Sequence, residues 1–217
     1  VIDTHTDGPD TSGLRARAVS GPGTLDRLHE RLVAAASRDG LLDVAYTNVD
    51  TPVGSLLLAA TGSGLVRVAF ESEDHELVLD TLAGRFGPRV LRAPARLDHA
   101  ARELDEYFAG TRTRFDLPLD LALSRGFRQL VQRRLADIEY GDTWSYARVA
   151  RLVGSPGAVR AVGTACATNP LPIVLPCHRV LRADGTLGGY AGGPARKSAL
   201  LALEARGRTR APSGDPG

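Results

Sequence analysis

Two turn signals stand close together early in this chain, Thr51-Pro52-Val53-Gly54 and Thr61-Gly62-Ser63-Gly64. Proline and glycine pre-set the backbone angles that tight reversals need. An apolar run at 55–60 lies between them. An alternating segment at 43–48, with Val44 and Tyr46, precedes it, and a run at 65–70, with Leu65, Val66, Val68 and Phe70, follows. Runs this short, bounded by turns, read as strands. Strands joined by such short reversals pair with their sequence neighbours, so the spacing predicts an antiparallel meander. Helical periodicity follows at 76–86, with Leu77, Leu79, Leu82 and Phe86, and at 97–109, with Leu104, Tyr107 and Phe108 inward. Gly87-Pro88 and Gly110 stop these helices. A short strand at 89–91 is compatible with the pattern, and 115–119 is extended.

The 217 residues suffice for one large domain or two small ones. Only two cysteines occur, Cys166 and Cys177. They make no disulfide framework and suit a reducing compartment. No apolar run approaches the roughly 18 residues of a membrane span. The first residues are polar and contain acids, unlike a signal peptide, so a cytoplasmic location and no membrane partner are expected. Residues 1–40 read as a leader. Its first part, rich in Gly, Pro, Thr, Asp and Ser, is expected to be disordered. Thr24 then opens a helix over 25–36, with Leu25, Leu28 and Leu32 on one face and Gly40 beyond its end.

Charge divides the chain. Residues 1–124 hold 13 Arg against 19 acidic residues, whereas 125–210 hold 14 Lys and Arg against 5. A basic back half is compatible with a polyanionic partner and also with solvated faces. That half carries a helical segment at 127–138, a turn at Gly141-Asp142-Thr143, and a short helix at 146–152 capped by Ser145. A break at Gly154-Ser155-Pro156-Gly157 and a second helix at 158–167 follow. Two short helices joined by a glycine turn form a helix-turn-helix. The second helix presents Ala158, Ala161, Val162, Gly163 and Ala165, with Arg160 as its only charge. Small residues permit close approach to a groove but offer few donors for reading bases. The same residues suit a helix buried against a neighbour.

Beyond this pair lies Pro176-Cys177-His178-Arg179-Val180, behind an apolar run at 171–175 and Asn169-Pro170, and ahead of a glycine-rich loop at 185–193. Cationic neighbours favour the thiolate, so Cys177 is a candidate activated thiol; the other reading is an inert buried cysteine. Consecutive side chains in an extended segment diverge, which argues against the direct Cys-His pair of a hydrolase. Zinc spacing is absent because no cysteine precedes Cys166, and His75 and His99 lie in polar surroundings.

The runs Gly141-Asp142-Thr143-Trp144-Ser145-Tyr146, Arg160-Ala161-Val162-Gly163, Asn169-Pro170, Pro176-Cys177-His178-Arg179-Val180 and Gly188-Gly189-Tyr190 together resemble the O6-alkylguanine-DNA alkyltransferases, also called methylated-DNA–protein-cysteine methyltransferases. The likeness is continuous from about 127 to 204 and weaker back to about 44. It implies an α+β fold. An N-terminal ribonuclease H-like domain at 41–122 would hold a small antiparallel sheet with helices. A C-terminal, winged-helix-like domain at 125–207 would hold the helix-turn-helix, followed by a disordered tail at 208–217.

The resemblance also implies the chemistry. Double-stranded DNA carrying O6-alkylguanine is the expected partner, with O4-alkylthymine open as a second lesion. The damaged nucleotide is rotated out of the stack. Arg160 fills the gap, Tyr146 crowds the phosphate and bonds the base, and Asn169 is the hinge beside the active-site loop. Ala161, Gly163 and Lys197 fall among the substrate- and DNA-binding positions. Cys177 takes the alkyl group irreversibly, in a single turnover. His178 acts as base through a bridging water, oriented by Glu204 on a helix over 197–205. Backbone N–H groups near Tyr190-Ala191 meet guanine O6, and the carbonyls of Cys177 and Val180 accept from the exocyclic amine. The glycines of 185–193 let that backbone approach the base. No cofactor or metal is expected, and the protein is expected to act as a monomer.

Three departures from the family pattern stand out. Ala191 replaces a hydroxyl residue, Cys166-Ala167 replaces an Asn-Gly common in bacterial members near the DNA face, and Trp144 is an unusual neighbour for Tyr146. Two readings from other classes stay open: a lesion-binding relative that does not transfer, against which Cys177 argues, and a helix-turn-helix regulator, against which the poor base-reading face argues.

Overall fold

The computed structural model describes residues 23–38 and 40–210. Residues 1–22 and 211–217, for which composition predicts disorder, lie outside the described residues. Helix α1 (Thr24–Arg38) is followed by three strands, β1 (Val44–Thr51), β2 (Gly54–Thr61) and β3 (Gly64–Phe70). Both hairpins close where the turn chemistry predicts. Thr51 pairs with Gly54 and Thr61 with Gly64 across the reversals. Each threonine hydroxyl also accepts a backbone N–H inside its turn, from Val53 at 3.3 Å and Ser63 at 3.1 Å.

The sheet differs from the expectation in one respect. Its order is β3-β2-β1-β4, and β4 (Val90–Arg92) runs parallel to β1, so the sheet is mixed rather than antiparallel. The reason is the connection. Helix α2 (His75–Phe86) lies between β3 and β4 and carries the chain back across the sheet, which lets the short strand enter in parallel.

The apolar run in β2 is explained by burial on both faces. Alternation sends Leu56 and Leu58 to one core and Leu57 and Ala59 to another. The second core is closed by Val78 and Leu82 of α2. The first is shared with Leu104 and Tyr107 of α3 (Asp98–Phe108) and with Leu171, Ile173 and Leu175 from the back half of the chain. At about 1.5–3 kcal/mol per fully buried large apolar side chain, this shared core holds the two halves together. A backbone bond between the halves reinforces it, Val68 N–H donating to Pro170 O at 2.8 Å, while Leu65 N–H donates to Pro118 O at 2.8 Å within the front half.

Helices α4 (Gly126–Leu135), α5 (Tyr146–Leu152) and α6 (Val159–Ala167) pack around Val131, Leu135, Ile138, Val149 and Val162. Strand β5 (Trp144–Ser145) pairs in parallel with β6 (Val180–Leu181), which makes a small wing. Ser145 caps α5, its hydroxyl accepting from Arg148 N–H at 3.1 Å. Helix α7 (Gly193–Arg210) begins earlier than expected and runs on to Arg210, into the stretch expected to be tail. In α1 the apolar stripe finds little cover: Leu28 and Leu32 are 53% and 56% exposed.

Candidate active site

Asn169 ends the turn after α6 and organises the segment that follows. Its Oδ1 accepts from Leu171 N–H at 3.1 Å, an Asx-type turn. Its Nδ2 donates to Leu175 O at 2.7 Å and to Cys177 Sγ at 3.2 Å. Between these bonds Ile173 adopts φ 74° while fully buried. A β-branched residue in the left-handed region costs about 1–3 kcal/mol, so the packed surroundings impose this bend. The segment then turns in one 3-10 step, Cys177–Arg179, which carries the chemistry-bearing side chains.

Cys177 is 1% exposed and His178 is wholly buried. The two side chains diverge as expected. His178 Nε2 lies 2.8 Å from Glu204 Oε1, and its Nδ1 is buried with no protein hydrogen-bond partner among the described residues. Glu204, on α7, is itself wholly buried and collects further donors. Arg179 reaches it with Nε to Oε2 at 2.9 Å and Nη2 to Oε1 at 2.9 Å, Tyr107 Oη donates to Oε1 at 2.7 Å, and Gly141 N–H donates to Oε2 at 3.1 Å.

These contacts decide protonation states. Burial would raise the Glu204 pKa, but the bonds from His178 and Arg179 outweigh it and hold the carboxyl at about 2. Burial lowers His178, against the opposing pull of Glu204, so the imidazole is neutral near pH 7. Burial pushes the Cys177 thiol up to about 11, with the Asn169 bond and the Lys197 charge resisting. The expectation of a resting activated thiol is therefore corrected. Arg179, the cation next door in sequence, turns to Glu204 and to Ile138 O, at 2.5 Å, and does not serve the sulfur. The site at rest holds a neutral thiol, a neutral imidazole and a carboxylate.

Tyr146 opens α5 and packs against the core that holds Cys177. A Cβ on Gly188 would stand 2.1 Å from the Tyr146 hydroxyl, so the loop touches the phenol where only glycine fits. Burial is the main cause that pushes Tyr146 up to about 12, which keeps it a proton donor. Lys197 lies on the inner side of the site. Expected among substrate- and DNA-binding residues, it is wholly buried, donates to Val180 O at 2.6 Å, and holds its ammonium 5.9 Å from the Tyr146 ring centroid. An ammonium in that position cannot reach a backbone phosphate outside.

Arg160 and Ala161 lie on the exposed side of α6, Gly163 is half-buried, and Val162, Ala165 and Cys166 face the core. The structure thus rejects a fully buried α6. Cys166, read in sequence as near the DNA face, is 1% exposed and packs in the same core as Cys177, because its turn of α6 points inward. Val180 is buried with its carbonyl toward Lys197, while Tyr190 and Ala191 are half-buried in the loop before α7. Trp144 is half-buried beneath the Arg148 guanidinium, 4.4 Å from its ring centroid, so the unusual residue gains a cation–π partner. Sequence reasoning missed Tyr107 as a donor to Glu204. The helix periodicity marked it only as inward-facing.

Residues 44–121 match the 6-O-methylguanine DNA methyltransferase ribonuclease-like domain, and residues 126–206 match the DNA binding domain of the same family. The chain belongs to the 6-O-methylguanine DNA methyltransferase family. Among its relatives is a methylated-DNA–protein-cysteine methyltransferase of Mycobacterium tuberculosis, 41% identical over 78% of this chain and 96% of that one. The constitutive enzyme of that kind from Bacillus subtilis is 40% identical over 72% of this chain and 92% of its own. A crystal structure of the M. tuberculosis O6-methylguanine methyltransferase superposes with TM-score 0.68 at 41% identity, covering 78% of this chain and 96% of that one. A structure of the M. tuberculosis OGT in complex with DNA gives TM-score 0.65 at 40% identity, covering 75% and 94%. Both domains of the methyltransferase family are therefore present, and Tyr107 of the ribonuclease-like domain bonds Glu204 of the DNA binding domain, which in turn meets His178 beside Cys177.

Proposed function

We propose that this protein is a DNA repair methyltransferase that rotates O6-alkylguanine out of duplex DNA and takes the alkyl group onto Cys177. The observation that carries the reading is the line Cys177, His178, Glu204: a buried thiol, a neutral imidazole with Nδ1 free, and an ionised carboxylate on Nε2. A thiol at about 11 is a poor nucleophile until its proton has somewhere to go. The proton passes through a bridging water to His178 Nδ1, and Glu204 stabilises the imidazolium that forms. The sulfur attacks the alkyl carbon in line. The new bond is S–C, the bond broken is C–O6, and the electron pair leaves on guanine. Tyr146 donates to the ring, and backbone N–H groups at Tyr190-Ala191 meet O6, so the departing anion is stabilised as it forms.

The carbonyls of Cys177 and Val180 select guanine through its amine. Val180 O keeps a lone pair for this beside the Lys197 bond. Arg160, exposed on α6 with the small residue Ala161 beside it, fills the space left in the duplex. The product is a thioether, whose carbon is a poor electrophile, so each molecule repairs one lesion. Both cysteines are free, which suits a cytoplasmic location, and no helix among the described residues is long and apolar enough to cross a membrane.

The test is duplex DNA carrying radiolabelled O6-methylguanine. Label should move to the wild-type protein and not to Cys177→Ala. No label on the wild type, or equal label on both, overturns the reading. Arg160→Ala should slow repair of the duplex more than reaction with the free base.

A further inference from the structure

The first turn of α7 carries two cations that face opposite ways. Lys197 points to Val180 beneath the thiol, whereas Arg196 points to the N-terminal half of the chain. Arg196 Nε donates to Val53 O at 2.7 Å, in the β1–β2 turn, and Nη1 donates to Gly192 O at 3.2 Å, in the glycine loop. Its guanidinium lies 5.4 Å from the Phe70 ring centroid. Phe70, at the end of β3, meets Tyr190 edge-on at 5.7 Å, and Tyr190 meets His178 edge-on at 6.3 Å. Close fits line this route. A Cβ on Gly192 would stand 2.8 Å from the Phe70 ring, and one on Gly54 would stand 3.3 Å from the Arg196 guanidinium, where φ is +102°.

We propose that Arg196 is a positioning residue that clamps the Tyr190–Gly192 backbone against the N-terminal domain and so sets how large an O6 substituent the site admits. The inference rests on the alkyl-transfer reading above. A planar fork bonding two carbonyls from different domains while covering a ring holds both in one geometry, which a single ammonium cannot do. Tyr190 packs against both the sheet core and the core around Cys177, so slack at Gly192 is felt at the wall beside the sulfur. A site held tight at that wall favours a methyl group over a larger one, because enlarging a well-packed space requires neighbours to move.

The test compares wild type, Arg196→Ala and Arg196→Lys. Two quantities are read: the ratio of transfer rates for O6-benzylguanine and O6-methylguanine in the same duplex, and hydrogen exchange of amides 188–193. In Arg196→Ala the benzyl-to-methyl ratio should rise about tenfold and exchange should quicken, with DNA affinity unchanged. Arg196→Lys should recover only part of both. If Arg196→Ala folds poorly, Phe70→Leu removes the stacking partner and should shift the ratio in the same direction. An unshifted ratio overturns the clamp, whether or not exchange quickens. Failure of the wild type to transfer at all refutes the alkyl-transfer reading instead.

Discussion

Arg179 and Glu204 meet through two parallel bonds of 2.9 Å, both inside the protein and both beside the His178 imidazole. A buried pair of this kind gives little net stability, but breaking one side leaves an uncompensated charge. Glu204→Gln should therefore cost about 3–5 kcal/mol in urea unfolding, and it should also slow methyl transfer. Adding Arg179→Met should restore much of the stability without restoring the rate, because His178 still lacks its carboxylate. Recovery of both together would remove the separate role assigned to Glu204.

The pH dependence follows from the same cluster. Glu204 is held at about 2 against an ordinary 4.5, so its contribution to stability is complete above 4.5 and is lost as pH falls towards 2. His178 is lowered from 6.5, so below 6.5 the unfolded chain binds a proton that the native site resists, and stability declines there too. With His178 as the base proposed above, transfer needs the neutral imidazole. Its rate should be level from pH 8 to 7 and fall on the acid side, with a midpoint below 6.5. A midpoint above 6.5 in a stopped-time transfer assay would contradict the neutral, buried base.

Two neighbouring glycines separate packing from flexibility. Gly188→Ala places a methyl 2.1 Å from the Tyr146 hydroxyl, whereas a Cβ on Gly189 meets nothing within 4 Å. Overpacking of this sort costs about 1–3 kcal/mol, here borne by the position of the phenol. Transfer by Gly188→Ala should drop about ten- to a hundredfold, and Gly189→Ala should stay within about twofold of wild type. Equal effects at the two positions would mean that loop mobility, and not the Tyr146 contact, matters.

Asn169→Ala would strip Leu171 N–H and Leu175 O of their partners inside the protein. Each orphaned group costs about 1–3 kcal/mol. The expected result is a lower melting temperature together with slower transfer, since the bond to Cys177 Sγ is lost as well. A variant of native stability would show that the turn is held by packing alone.

Much of this was legible along the chain. The turn tetrads and the alternation around Val44 and Val68 mark the strands. Ser145 marks a cap, and the Pro176–Val180 motif marks the site, because each is a local signal a few residues long. Arg179 shows where such signals stop. Its place beside Cys177 suggests an activating cation, but its donors are used by a residue 25 positions away, and only packing reveals that. Cys166 misleads for the same reason. Which side of a helix faces the core depends on what lies opposite, and sequence spacing does not state it.

The sequence by itself determined the three hairpin strands, most of the helices, the turn chemistry, the candidate thiol and the family likeness, since these depend on short-range backbone preferences and on motifs read in order. The tertiary structure decided the protonation of the site. Burial of Cys177, His178 and Glu204 in one cluster pushes the thiol pKa up and the imidazole pKa down, because desolvation penalises the charged form of each. It also decided that Glu204 keeps its charge there, because Arg179 and His178, brought from the far side of the loop, bond it on both oxygens.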